Sequence, residues 1–296
     1  MPLFDGYVAV DWSAKNEPVY NENSIWIAVC DPHGPPRLEN LGTRREAVDW
    51  VEALLWERTA AGRRLLCGFD FAFGYPEGTA RMLTGEYGWA PVWARIAQVI
   101  EDGPNNCNNR FEAAVELNEV FEGEGPFYGR HHAWHIEGLL TTRPRNGWGE
   151  NLPPERRYAE EIVRKAQPVW KLYGNGSVGS QALTGIPALQ RIRRRTGSQI
   201  WPFETLGEGQ SHVLAEIYPS LINLLPALPD WVPVVNDAKQ VYAMALTLRE
   251  LDQADELQQH LHAPQQMPDR VRREEGAILG MQDRVGFNAA AARAMG

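Results

Sequence analysis

An α/β core interrupted by a mainly helical insertion is the architecture this sequence predicts. Three observations carry that reading: paired apolar runs near the N-terminus, an amphipathic helix after them, and a return to strand-like and then helical patterning beyond residue 210. With 296 residues the chain can bury enough surface for one large domain or two small ones without disulfides.

Residues Tyr7 to Trp12 read YVAVDW, an apolar run with Asp11 near its end, and Ser24 to Cys30 (SIWIAVC) form a second run after the polar stretch KNEPVYNEN. Two strands joined by a loop account for both. A short third strand is expected at Arg37 to Leu41. Thr43 can then cap a helix, RREAVDWVEALLWERTAAG, because Ala47, Val48, Val51, Leu54 and Leu55 recur at spacings of three and four and Gly62 stops the pattern. Leu65 to Gly74 (LLCGFDFAFG) is the next strand-like run and carries Asp70.

After Pro76 the periodicity loosens, leaving helical pieces such as WARIAQVIEDG, FEAAVELNEVF and PERRYAEEIVRKAQ. Strand character returns in HVLAEIYPS, His212 to Ser220. A helix N-capped at Asn236 follows, with Val241, Ala245 and Leu248 on one face and Asp237 in its first turn; the tail holds one apolar patch, GAILGM. The expected division is therefore a core of residues 1–76 and 210–296 around an insertion of residues 77–209. The opening order β-β-β-α-β lacks the glycine-rich turn that a Rossmann fold places directly after its first strand.

Composition narrows the classes. A hydrophobic fraction of 44% with 23% charged residues is that of a globular protein, and no apolar run reaches the roughly 18 to 20 residues that span a bilayer. The N-terminus has no secretory pattern, and Cys30, Cys67 and Cys107 are too scattered for a disulfide or Cys-x-x-Cys framework, so a reducing cytoplasm is the expected setting. A net charge of −9 argues against a general nucleic-acid coat, though not against an enzyme that grips phosphates locally.

Four acids sit in apolar frames: Asp11, Asp70, Glu216 and Asp237. Burying such groups costs several kcal/mol unless a cation or donors compensate, and a bound Mg²⁺ satisfies several at once. Other stretches bear on a substrate. Lys171 to Ile186 has four glycines with hydroxyls ahead of a helix, a pattern whose backbone amides can cradle phosphate, although it matches neither a Walker loop nor a dinucleotide fingerprint. Arg191, Arg193, Arg194 and Arg195 form the densest basic cluster, and Lys239 follows Asp237 closely. Ser13, Lys15, Lys171, Ser177, Arg193, Arg194 and Lys239 are the expected substrate-binding residues. His131, His132 and His135 include an i, i+4 pair of zinc-ligand spacing, but only Glu137 stands nearby as a third ligand. Ser177 and Ser180 lack the nucleophile-elbow frame, and tryptophans such as Trp50, Trp56 and Trp93 fall at core spacing.

The runs YVAVDWSAKN, GFDFAFGYP, AEIYPS, NDAKQVYAMAL and EEGAILG together resemble domain-of-unknown-function family 429, of the ribonuclease H-like superfamily. The resemblance spans about Tyr7 to Gly280 and covers the insertion only loosely. It implies a ribonuclease H-like mixed five-stranded sheet of order 3-2-1-4-5 with flanking helices. It implies also that Asp11, Asp70, Glu216 and Asp237 converge to bind one or two Mg²⁺ or Mn²⁺ ions, Asp11 bridging, for hydrolysis of a phosphodiester in nucleic acid or a small phosphoester. Two departures stand out: Asn236 precedes Asp237 where the family commonly pairs acids, and bulky Trp12 follows Asp11. The alternatives are a non-catalytic nucleotide- or protein-binding module on the same fold and an actin-like phosphotransferase. The latter needs Asp-x-Gly hairpins that Asp11-Trp12-Ser13 and Asp70-Phe71-Ala72 do not supply.

Overall fold

The central strands of this protein are apolar on both faces, so helices must cover the sheet on both sides. In the computed structural model, which describes residues 2–207, 209, 211–222, 228–262 and 264–296, they do. The strands are β1 (Gly6–Asp11), β2 (Ile25–Cys30), β3 (Arg37–Leu41), β4 (Leu65–Phe69), β5 (Gln199–Trp201) and β6 (Val213–Glu216). They form one mixed sheet of order β3-β2-β1-β4-β6-β5. The first three pair antiparallel, whereas β4, β6 and β5 continue parallel from β1.

The expected order holds as far as β6. A sixth strand, β5, extends the edge, and it comes from the segment read as insertion. The core therefore resumes at Gln199 rather than at residue 210.

The helices are α1 (Arg44–Ala60), α2 (Thr79–Thr84), α3 (Trp89–Val99), α4 (Arg110–Asn118), α5 (Tyr158–Ile162), α6 (Val178–Thr196), α7 (Asn236–Gln253), α8 (Leu257–His260), α9 (Asp269–Glu275) and α10 (Arg284–Met295). Thr43 caps α1 through a capping box with Glu46, as its sequence predicts. α7 is capped differently: Val235 is the capping residue, Asn236 is already helical, and no side chain caps the end.

Because side chains alternate along a strand, Val8, Val10, Ile27 and Phe69 point to one core, beneath α1, α3 and α6. Tyr7, Ala9, Ala28 and Leu66 point to the other, beneath α7 and α10. Each Val, Leu or Ile so buried contributes roughly 1.5–3 kcal/mol relative to exposure, and the two cores lock the sheet between them. Trp56 departs from its expected core role: it is 43% exposed, its ring lying under the Arg195 guanidinium.

Two buried polar ties fix the frame. His212 at the start of β6 accepts from the Leu65 N–H through Nδ1, while its Nε2 lies 2.9 Å from Leu55 O and Thr59 Oγ1. Asp252 in α7 accepts from the N–H groups of Leu3 and Phe4 and from the Tyr7 hydroxyl at 2.6 Å, which fastens the N-terminus. Among the described residues no helix is long and apolar enough to cross a membrane.

Candidate active site at the ends of the parallel strands

Pairing of β1 with β4 runs from Gly6↔Leu65 to Val10↔Phe69, so the next residues in register are Asp11 and Asp70. The Asp70 N–H donates to Val10 O at 2.9 Å and keeps the chains adjacent there. Neighbouring strands lie about 4.8 Å apart, and strand parity sends both acids to the α7 face. Asp237, in the first turn of α7, approaches the same place and accepts a hydrogen bond from the Asn23 N–H at 3.0 Å.

Trp12 points the opposite way, into the core against Phe69 and Phe71, and donates through Nε1 to Thr184 Oγ1 in α6 at 3.2 Å. The bulky residue after Asp11 is thus an anchor beneath the site and does not fill it.

No hydrogen bond from a described residue reaches the Asp11 or Asp70 carboxylate. Burial, then Asp70, then Asp237 push the Asp11 carboxyl well above the usual range. Burial, Glu216 and Asp237 push Asp70 up to about 8. Desolvation and like-charge repulsion both disfavour ionisation, so the pair calls for either a proton or an added cation.

Glu216 does not join them. Val213 and Ala215 face the α7 side, so parity turns Glu216 to the other face of the sheet with Leu214. There Arg157 holds it in a bidentate pair, Nη1 at 2.8 Å and Nη2 at 2.7 Å, and the Phe73 N–H donates to it as well. Arg157 also binds Glu160 at 2.8 Å through Nε. Burial works against the Arg157 charge, but Glu216 and Glu160 outweigh it and raise its pKa. Among the described residues no group of three or more His, Cys, Asp or Glu side chains is placed to hold a metal ion, so the expected four-carboxylate cluster is not assembled.

Two cavities meet at the aspartates. One of about 650 Å³ is lined by Asp11, Asp237, Ser13, Lys15, Arg110 and Ser177 among others. A smaller one of about 210 Å³ is lined by Asp70, Arg157, Lys165 and Glu216. Gly176 and Gln181 border both, and Gln181 Nε2 donates to Trp12 O at 2.5 Å. The glycine-rich segment thus forms the shared wall. Its Gly179 is obligatory: a Cβ there would lie 2.4 Å from Val169 O and 2.8 Å from Lys171 O. The first-turn amides of Gly179 and Ser180 already donate within the loop, to Lys171 O and Ser177 O.

The remaining expected residues divide by place. Ser13, Lys15 and Ser177 line the larger cavity. Lys171 instead donates to Asn175 O at 2.7 Å and so braces the loop. Lys239 is half-buried one turn along α7. Arg193 and Arg194 lie near the C-terminus of α6, roughly 22 Å by helical rise from the end that meets the cavity. Arg193 pairs there with Glu204 at 2.6 Å, and Arg191 and Arg195 pair with Glu52. His131, His132 and His135 fall in a loop, so their spacing brings no helical i, i+4 geometry.

Arg110 is the residue the sequence reading passed over. Its guanidinium lines the larger cavity and, among the described residues, bonds only neutral oxygens, Ser180 Oγ at 3.0 Å, Asn108 Oδ1 at 2.9 Å and Asn16 Oδ1. Burial, followed by the neighbouring Arg44, lowers its pKa to about 10. The chain is thus an α/β protein with acids and the Arg110 guanidinium around a cleft at the carboxyl ends of parallel strands. Set against protein-family models, curated proteins and solved structures, it matches none.

Proposed function

We propose that the protein is a divalent-cation-dependent phosphodiesterase of ribonuclease H-like arrangement. The observation that carries this reading is the pair Asp11 and Asp70, two desolvated carboxylates side by side with no cation or donor from the described residues on either. Mg²⁺ keeps several waters and needs only one or two carboxylates when substrate phosphate completes its shell, so two aspartates fit the ion without a third. When bound, the ion would neutralise phosphate charge and lower the pKa of a coordinated water.

The chain's own groups supply the rest. Arg110 and Lys15 on the cavity wall are placed to hold phosphate oxygens, Arg110 through Nη2, since its Nε and Nη1 are engaged by Ser180, Asn108 and Asn16. Asp237 keeps one oxygen on the Asn23 N–H, which leaves the other to orient a water at the cavity mouth. Arg157 sequesters Glu216, so that acid works in the frame and takes no part in the reaction.

Titrating Mn²⁺ by calorimetry tests the proposal. Wild type gives a saturable heat and Asp11→Asn gives none, with an unchanged far-ultraviolet spectrum; equal heats from the two proteins would refute it. A non-catalytic phosphate-binding module is the second reading, favoured by the absence of a three-ligand group among the described residues. Hydrolysis of bis(p-nitrophenyl) phosphate with Mn²⁺ separates them, since a module binds the ion or phosphate without turnover.

A further inference from the structure

Beside the cavity stands an exposed group of aromatic rings that neither core accounts for. Trp134 is 42% exposed and Tyr173 39%. Their ring centroids lie 5.1 Å apart, and the His131 ring is 5.6 Å from Trp134 and 5.7 Å from Tyr173. Tyr173 lines the cavity that holds Asp11 and Asp237, so the group begins inside the cleft and continues out of it. Phe111 joins it from below, its ring 5.5 Å from Trp134 and capped at 4.4 Å by the Arg110 guanidinium.

The backbone holds these rings in place. Leu172 N–H donates to Tyr128 O at 2.8 Å and Tyr128 N–H to Trp170 O at 3.1 Å, while Gly129 N–H donates to Leu140 O at 2.9 Å. Arg130 then bonds Leu139 O at 2.8 Å and Trp134 O, closing the loop on itself. The rings themselves brace one another edge to face, Trp134 and Tyr173 crossing at 66°, so each loses little entropy when a separate base covers it.

We infer that Trp134 and Tyr173 form a stacking platform for the bases of a single strand of nucleic acid whose phosphate lies at Arg110. The inference rests on the phosphodiester reading of the cavity only in naming that phosphate. A single strand fits better than the other phosphodiesters. Trp134 lies outside the residues that line the cavity, so a ligand reaching both must extend past it. Duplex bases are stacked on each other and offer no free face, whereas every unpaired base does. The overall charge of −9 is no obstacle, because stacking supplies affinity that phosphate neutralisation does not.

Fluorescence anisotropy of a fluorescein-labelled eight-nucleotide thymidine strand, in EDTA, tests this. Trp134→Ala and Tyr173→Ala each weaken binding by about 5- to 150-fold, the effect of one lost base–ring stack, while Trp134→Phe keeps most of it. An abasic strand of equal length, a duplex and thymidine monophosphate as competitor all bind far more weakly. With Arg110 and Lys15 as the phosphate contacts, log K falls with log salt at a slope of about −1.4. Equal binding by the alanine variants, by the abasic strand or by the mononucleotide would overturn the inference. Because EDTA removes divalent ions, failure here leaves the Mn²⁺ calorimetry on Asp11 unaffected, and failure there leaves this measurement standing.

Discussion

Replacing Arg157 with methionine lowers the stability of the fold by about 3–5 kcal/mol, the cost of stranding buried charges without their partner. Arg157, Glu160 and Glu216 are 2%, 1% and 3% exposed, so water cannot take over the lost contacts. Methionine keeps much of the side-chain volume, which makes the loss electrostatic rather than one of packing. The arginine also donates to Glu275 O at 3.0 Å, and Glu275 in turn accepts from the N–H groups of Tyr158 and Glu77. One guanidinium thus joins β6, α5 and the end of α9. Urea denaturation measures the effect as a lower midpoint with an unchanged slope. The triple variant Arg157→Met, Glu160→Gln, Glu216→Gln recovers most of the loss, because it removes the carboxylate charges together with their counter-ion. A single-variant loss below about 1 kcal/mol would mean that solvent reaches the network and that Glu216 is free to turn toward the aspartates.

That network shows where the sequence stops being informative. β1 and β4 are legible because each is an apolar run ending on an acid, and their register follows once they pair in parallel. α1 and α7 declare themselves through spacings of three and four. Glu216 is misplaced by the same reasoning, since Val213, Leu214, Ala215 and Glu216 are all buried and the strand shows no alternation from which a face is read. β5 is three residues long and owes its existence to pairing with β6. Nothing local marks it. The arginine cluster belongs to a clear helix, yet which end of α6 meets the cleft depends on tertiary packing. Arg110 and Trp134 lie in the stretch of residues 77–209, where periodicity is weak and the chain is organised by long-range bonds. The two strand-end aspartates and the loop residues Ser13, Lys15 and Ser177 were therefore readable, whereas the face taken by Glu216 and the positions of Arg110 and Trp134 depend on tertiary packing.

In metal-free buffer wild type loses stability relative to Asp70→Asn as pH rises from about 4 to about 8, whereas the contribution of Glu275, which burial pushes up to about 7, is common to both proteins. The sign follows from the pKa of Asp70, which burial, Glu216 and Asp237 raise from 3.8 unfolded to about 8 folded. Between those values the folded state keeps a proton that the unfolded state has released, so each step upward in pH favours unfolding. One proton corresponds to at most about 1.4 kcal/mol per pH unit. Asp11, raised by burial and by its two neighbours, titrates with Asp70 as a pair and steepens the profile. Above about pH 8 the curve flattens, and there Asp70→Asn is more stable than wild type, because an amide has no charge to desolvate beside Asp11. Thermal unfolding in EDTA across pH 5 to 9 reads both curves; superimposable profiles would mean that the Asp70 carboxylate is already solvated or paired. Saturating Mn²⁺ should reverse the wild-type slope, since a cation displaces the protons and binds more tightly as they leave. The variant lacks that response. A carboxylate whose removal stabilises the free protein while abolishing its gain from the ion is maintained against folding for the sake of what it binds.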